Sequence, residues 1–330
     1  MLKKAIGIVG TGSGIPEQVL TNFDLEKMVE TSDEWIRTRT GIRERRIAAP
    51  HQATSDLAYE AAVKALESAG IAGDEVELII VATITPDMIF PATACLLQDR
   101  LGAKRAAAFD LSAGCSGFIY SLETAANFLA AGKYQTALVI GADLLSRITN
   151  WRDRSTCVLF GDGAAAAVLR PVEEPLGFLS SVLGADGSGA EKLYLPAGGS
   201  RKPARRETVE AEEHYIRMCG PDVFKFAVRA IEEATLEVLR KADLGVEDVD
   251  LFIPHQANVR IIDAAAERLG LDRERILVNV DRYGNTSAAS VGLALDEAVR
   301  AGRLKKGDVV VLVGFGAGLT WGASVLRWAY

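Results

Sequence analysis

The sequence has few of the residues that build metal and disulfide sites. It holds three histidines and four cysteines in 330 residues. Cys95, Cys115, Cys157 and Cys219 form no CxxC pair, which speaks against a zinc cluster or a disulfide scaffold and predicts reduced thiols and no metal. No apolar run reaches the ~20 residues of a membrane span. The nearest candidate, 116–131, carries Glu123 and follows a glycine turn. Basic character is also lacking: a formal net charge of −7 argues against nucleic acid as the main partner. The N-terminus, Met1-Leu-Lys-Lys-Ala-Ile-Gly-Ile-Val-Gly, begins like a signal peptide but reaches Thr11-Gly-Ser-Gly too soon. It reads as the first strand and turn of a cytoplasmic protein. A dinucleotide fingerprint is missing too. Gly10-x-Gly12 has Ile15 where a third glycine belongs, and Gly161-x-Gly163-x-x-Ala166 runs into Val168-Leu-Arg-Pro171 instead of a helix.

What the sequence does contain is a turn built around one cysteine. An apolar run with strand character, 105–111, stops at Ser112-Ala113-Gly114, and a helical pattern extends over 116–131 until Gly132. Cys115 is predicted at the first position of that helix. Orphan N–H groups and the macrodipole there favour a thiolate, predicting a pKa lowered from ~8.5 into the range ~3.5 to 7.5. Gly114 and Gly117 let a ligand approach the backbone closely. Phe118, Ile119, Leu122, Ala125, Ala126 and Leu129 cover more than one face of the helix, and Glu123 is its only charge. Such a helix belongs between two layers of a large protein.

Along the chain, Thr31-x-x-Glu34 reads as a capping box for a helix over 32–38. Arg37, Arg39, Arg43, Arg45 and Arg46 follow Trp35 closely. That stretch reads either as a solvated basic loop or as a site where tryptophan stacks a base and arginines pair with phosphates. A helix over 55–69, capped by Thr54, leads to a strand over 76–83; a further helix ends at Arg100. Residues 136–140 read as a strand, 157–169 as strand, turn, strand, and 198–213 as a polar surface excursion. A long helix over 221–242 precedes a strand over 249–253, and Pro254-His255-Gln256-Ala257-Asn258 opens a helix ending at Gly270. A strand over 275–280, the turn Gly284-Asn285-Thr286, a helix to Ala301 and a strand over 308–313 follow. Alternating strands and helices predict parallel sheets with crossover helices.

The two halves match. Cys115 and Asn285 stand 170 residues apart, as do Gly132 and Gly302, which end the helices that follow them. A duplication places Cys115 and Asn285 at equivalent turns beside a pseudo-twofold axis, at the carboxyl ends of strands where open α/β sheets bind ligands. His51 and His214 lie in polar stretches, whereas His255 follows a buried strand at a helix start. A lone histidine is by default a satisfied core residue, but the shared strand-end position favours a site. A helix start there favours neutral imidazole, able to donate to an oxyanion.

The set Gly114-Cys115-Ser116-Gly117-Phe118, Leu159-Phe-Gly-Asp-Gly163, Pro254-His-Gln-Ala-Asn258, Gly284-Asn-Thr-Ser-Ala288 and Gly316-Ala-Gly-Leu-Thr-Trp-Gly322 resembles β-ketoacyl-acyl carrier protein synthase III from end to end. The resemblance implies an α/β, thiolase-like fold: duplicated halves in a layered αβαβα arrangement with two buried central helices. The halves would be 1–175, carrying the nucleophilic cysteine, and 176–330, carrying histidine and asparagine. It also implies a homodimeric initiating condensing enzyme of type II fatty acid synthesis. An acyl group from acyl-coenzyme A would pass to Cys115, and malonyl-acyl carrier protein would then condense with it. His255 and Asn285 would hold the malonyl thioester oxygen, and the backbone N–H groups of Cys115 and Ala317 would form a second oxyanion hole. The family more often has glycine at position 317, where alanine keeps the donor if its φ is negative. Further implied are Trp35, Arg39 and Arg154 on the adenine and phosphates of coenzyme A, and Thr31, Gly220, Phe224 and Asn258 along the pantetheine channel. Phe90 would reach the neighbouring acyl pocket, and Lys225, Gln256, Ala257, Asn258, Val259 and Arg260 would receive the carrier protein. No cofactor is implied, since the coenzyme A thioester is a substrate. A polyketide-type ketosynthase with other primers and a cysteine hydrolase, with histidine as base on the thiol, remain the alternatives.

Overall fold

The computed structural model describes residues 4–330. Met1, Leu2 and Lys3, where the signal-like N-terminus begins, lie outside the described residues. Apolar runs without polar alternation are the mark of strands covered on both faces, and they assemble into two sheets. The first contains β1 (Ile6–Gly14), β2 (Leu78–Ala82), β3 (Ala107–Leu111), β4 (Ala137–Leu144) and β5 (Asp162–Pro171) in the order β1-β5-β4-β2-β3. The second contains β6 (Gly177–Ala185), β7 (Leu251–Pro254), β8 (Val309–Gly316) and β9 (Thr320–Arg327) in the order β7-β8-β9-β6. Reversed, the second order repeats the first four positions of the first. The counterpart of β3 is reduced to a single parallel bridge between Phe252 and Ile276.

Successive strand residues face opposite sides of a sheet, and the cores follow that rule. Leu78 and Ile80 turn inward while Ile79 and Val81 turn outward. The inner layer consists of α4 (Gly117–Ala130) and α7 (Ala289–Arg300), with Phe118, Leu122 and Leu129 packed beside Val291 and Leu295. The helices α2 (Thr54–Ala69) and α3 (Thr93–Arg100) cover the outer face of the first sheet, and α5 (Gly220–Lys241) and α6 (Val259–Leu269) that of the second. This is the expected five-layer arrangement, with the helix after Cys115 buried at its centre. A shorter helix, α1 (Asp33–Thr40), lies near the start of α6.

Several local expectations are corrected. The sheets are mixed: β2 pairs parallel with β3 and β4, and β7 with β8, but all other core pairs are antiparallel. In the second sheet β9 returns directly beside β8 as a hairpin, with no crossover helix between them. β6 and β9 themselves are additions to the elements expected from the sequence. The first strand expected within 157–169 does not form: Cys157 ends a helical turn, Arg154–Cys157, that Asp153 caps by accepting from the Ser155 N–H at 2.9 Å, and only Phe160 makes a bridge. The strand expected over 275–280 does not form a ladder, since the Gln256 side-chain oxygen takes the N–H groups of Asn279 (2.9 Å) and Val280 (3.2 Å). Ser32, not Thr31, caps α1, accepting from Trp35 N–H at 3.1 Å. Thr54 does not cap α2; its hydroxyl donates to Thr85 O, and Asp56 accepts from Ala53 N–H instead.

α2 lies close against β1 because glycines face it. A Cβ on Gly12 would stand 2.4 Å from both Ala61 O and Ala65 N, atoms of helix backbone that have no rotamer to yield. Gly12→Ala is therefore expected to destabilise the protein by about 1 to 3 kcal/mol, the usual range for an overpacked core. Chemical denaturation of the two proteins side by side checks this, and an unchanged midpoint would refute the packing argument.

Candidate active site

β3 delivers the chain to Gly114, whose φ of +54° lies in the left-handed region that glycine tolerates. A 3-10 turn, Gly114–Ser116, then carries Cys115 into α4. The cysteine thus stands just before the helix rather than at its first position. The loop that closes the β8–β9 hairpin lies directly behind it: a Cβ on Gly316 would fall 2.5 Å from Cys115 N. Ser116 Oγ and Thr320 Oγ1 sit 2.7 Å apart and reach the carbonyls of Ala113 and Ala317, fastening the two turns together. Ala317 is not among the non-glycine residues with positive φ, so its N–H remains oriented as a glycine's would be in the ordinary region.

Cys115 is 7% exposed, and burial pushes its thiol up to about 12. The lowered value expected from a helix N-terminus is not met. The thiol is buried, and the buried Asp143 carboxylate adds negative charge nearby, so desolvation of the thiolate outweighs the helix end.

His255 follows β7, with its backbone N–H donating to Val313 O at 2.8 Å. It precedes α6 by several residues rather than lying in the first turn. Its ring is 1% exposed, packs edge-on to Phe315 with centroids 5.0 Å apart, and places Nδ1 2.5 Å from Ser290 Oγ. Burial lowers its pKa to about 3. The expected neutral imidazole is present, but desolvation is what keeps it neutral. Nε2 is buried and has no partner among the described residues.

Asn285 exchanges backbone hydrogen bonds with the 159–161 segment: its N–H donates to Leu159 O at 2.8 Å, and its carbonyl accepts from Gly161 N–H at 3.0 Å. Its Oδ1 accepts from Ser287 N–H at 2.9 Å, which turns the amide NH2 away as a donor. Cys115, His255 and Asn285 line one cavity of about 450 Å³, together with Phe315 and Gly316.

The outer part of that cavity is lined by Gly220, Phe224, Ala257 and Asn258, with Arg39, Lys225 and Arg260 also contributing. Asn258 caps α6 through Oδ1 and donates from Nδ2 to Arg39 O at 3.2 Å, tying α6 to α1. The Arg39 and Arg154 guanidinium groups lie 5.6 and 4.9 Å from the Trp35 ring centroid, so the aromatic and basic groups singled out from the sequence do meet. Thr31 is half-buried outside the cavity lining, and Val259 packs beside Gly41. Phe90, 83% exposed, contributes nothing to this chain's own cavity. Gln256 does not belong to a docking surface. It is 1% exposed, its amide donates to Pro254 O and Leu277 O, and its oxygen is already occupied. Sequence reasoning missed Ser287 and Ser290. The Asn-x-Ser spacing carries an Asx-turn signal for Ser287, whereas Ser290 meets a histidine 35 positions away, which no local pattern discloses.

The family model described as 3-oxoacyl-[acyl-carrier-protein (ACP)] synthase III matches residues 109–187, and the model of that family's C-terminal part matches 239–328. A β-ketoacyl-[acyl-carrier-protein] synthase III from Caldanaerobacter subterraneus subsp. tengcongensis is 62% identical over 327 residues, covering 99% of each chain. Among solved structures, the synthase III from Thermus thermophilus superposes with a TM-score of 0.91 at 54% identity, covering 98% of this chain and 99% of that one. The 3-oxoacyl-[acyl-carrier-protein] synthase III from Aquifex aeolicus VF5 gives 0.91 at 50% identity, covering 98% and 100%.

Two outcomes follow from the burial of the site. Alkylation of the Cys115 peptide by iodoacetamide is expected to keep rising as pH is raised from 7 to 10, because the resting thiol is protonated; a plateau above pH 7 would mean a resting thiolate. For His255, the unfolded chain takes up a proton near pH 6.5 that the folded chain does not bind until about 3. Its neutral burial is therefore without penalty above pH 6.5 and lowers stability progressively as pH falls through that window. At pH 5 the loss amounts to about 2 kcal/mol. Urea unfolding at pH 7.5 and 5.0 should show His255→Asn losing less stability on acidification than wild type, and equal losses would overturn the assignment.

Proposed function

The chain belongs to the 3-oxoacyl-[acyl-carrier-protein] synthase III family, and from that premise we propose how its residues divide the work. The protein is an acyl-transferring condensing enzyme that initiates fatty acid synthesis. The observation that carries the assignment is the meeting of a buried neutral thiol, a neutral imidazole and a carboxamide donor in one cavity.

In the first half-reaction Cys115 Sγ attacks the thioester carbonyl of an acyl-coenzyme A with a short primer such as acetyl. The carbonyl oxygen becomes anionic and accepts from the backbone N–H groups of Cys115 and Ala317. When the tetrahedral centre collapses, the coenzyme A thiolate leaves and receives the proton that Cys115 has lost, so the exchange is neutral overall. In the second, malonyl-acyl carrier protein enters and its carboxylate departs as carbon dioxide. The electron pair of that bond forms an enolate, whose oxygen accepts from His255 Nε2 and Asn285 Nδ2. The enolate carbon then attacks the acyl thioester, a carbon–carbon bond forms, the bond from the acyl carbon to Sγ breaks, and Cys115 leaves as a thiolate that takes a proton from solvent, giving 3-ketoacyl-acyl carrier protein and the resting thiol. Decarboxylation requires donors rather than a base, and a neutral histidine with a depressed pKa suits that role.

Trp35, Arg39 and Arg154 are assigned to the adenine and phosphates of coenzyme A, with Thr31, Gly220, Phe224 and Asn258 along the pantetheine arm. Lys225 and Arg260, with Ala257 and Val259 beside them, receive the acidic carrier protein, which is how a chain of net charge −7 accommodates an anionic partner. A homodimer is supported by β3, an edge strand whose residues are half-buried or exposed, and by the exposed Met88, Ile89 and Phe90. Phe90 would then enter the neighbouring acyl pocket. The strand orders support halves that divide at 175/176, between β5 and β6. The four free cysteines suit the reducing cytoplasm.

Intact-mass spectrometry with acetyl-coenzyme A, followed by malonyl-acyl carrier protein, tests the scheme. An acetyl adduct on Cys115 that clears as the 3-ketoacyl product appears is the expected course. His255→Ala and Asn285→Ala should still acquire the adduct while decarboxylation falls by about 10²- to 10³-fold. A variant that decarboxylates normally but cannot be acylated would reverse the assigned roles.

A further inference from the structure

The His255 imidazole has one neighbour that no expectation assigned. Ser290, in the first turn of α7, is 1% exposed, and its Oγ lies 2.5 Å from His255 Nδ1 and 3.3 Å from the Gln256 backbone nitrogen. These are the only side-chain hydrogen bonds of Ser290 among the described residues.

The proton count settles the direction of the short contact. A hydroxyl has one proton and two lone pairs, and a neutral imidazole carries one proton on one of two nitrogens. The Gln256 N–H occupies one lone pair of Oγ. If Nδ1–H donated to the other, the hydroxyl proton would be buried with no acceptor, and Nε2 would face the cavity as a bare lone pair. If the hydroxyl donates to Nδ1 instead, every group behind the ring is satisfied and the imidazole proton stands on Nε2. Buried polar groups are overwhelmingly satisfied, so the second arrangement is the one the fold holds.

We infer that Ser290 is the positioning residue that fixes His255 as the Nε2–H tautomer, making its cavity-facing nitrogen a donor and denying it the role of base. Phe315, edge-on against the ring, holds the plane in which this donor points. Nε2 has no protein partner among the described residues, so its proton is available to a ligand oxygen. A hydrolase histidine would need the opposite arrangement, with a lone pair on the nitrogen that faces the thiol. The kinetic consequence rests on the proposed function, in which Nε2 donates to the enolate oxygen. The tautomer itself does not depend on that reading.

Nitrogen-15 labelling of the histidines in the full-length protein and a long-range proton–nitrogen correlation spectrum test the inference. The His255 signals, identified by their loss in His255→Ala, should show a protonated Nε2 and an unprotonated Nδ1. Ser290→Ala should lose that single-tautomer pattern, and its kcat for malonyl-acyl carrier protein decarboxylation should fall by about 10²-fold, comparable with losing an oxyanion donor, with KM little changed. Ser290→Thr, which keeps the hydroxyl, should restore both. A protonated Nδ1 in the wild type would overturn the inference, as would Ser290→Ala with the wild-type tautomer and rate. If Ser290→Ala does not fold, the wild-type spectrum decides. Normal decarboxylation by His255→Ala would instead refute the assigned role of His255, while the wild-type spectrum would still decide for or against the tautomer that Ser290 imposes.

Discussion

The close packing of α4 and α7 between the two sheets is the constraint on which the site depends. Two helices can share one buried layer only if small residues let them approach the sheets. A Cβ on Gly292 would lie 2.6 Å from Ala165 Cβ and 3.1 Å from Phe118 Cζ, and one on Gly117 would lie 2.9 Å from Ala82 Cβ. With the helices pressed together, the turns that precede them are also brought together. Cys115 leads into one, Asn285 leads into the other, and Ser290 in the first turn of the second reaches the loop that carries His255. The constellation is thus fixed by the core layer, while most residues assigned to ligand recognition lie on or next to α1, α5 and α6 around it, with Arg154 reaching Trp35 from the helical turn 154–157.

The same burial sets the electrostatics. A cysteine and a histidine exposed to water can form a thiolate–imidazolium pair, but here desolvation drives both toward their uncharged forms. That state suits chemistry in which charge appears only on substrate oxygens and migrating thiolates. Preoriented dipoles then act where charge develops, at buried side chains that need not reorient as it forms.

Much of this is legible in the chain. The glycine-flanked cysteine, the recurrence after 170 residues and the strand-end histidine point to two related halves with a site at their junction, and the buried helix is visible from its nearly uncharged composition. What cannot be read are features created by distant partners. Nothing near 275–280 announces that the Gln256 side chain will take its backbone donors, and nothing around Cys115 states how completely water is removed. A nearby helix end does favour the thiolate, but it loses to a desolvation cost that exists only once β8, β9 and α7 are in place. Thr31 and Thr54 lose their capping roles more simply, because neighbouring residues offer better geometry.

The Phe160–Asn285 bridge joins segments that leave the ribosome far apart in time. Asn285 takes its backbone partners from Leu159 and Gly161, and Ala288 N–H reaches back to Asp143 at 3.2 Å. The first half therefore emerges with its nucleophile and one face of α4 waiting for a covering layer that translation supplies only near its end. Until then the thiol lacks His255 and Asn285 and the cavity that they line with it. The constellation is therefore one that synthesis completes last: its nucleophile comes from the first half of the chain, and the donors that line the cavity with it come from the second.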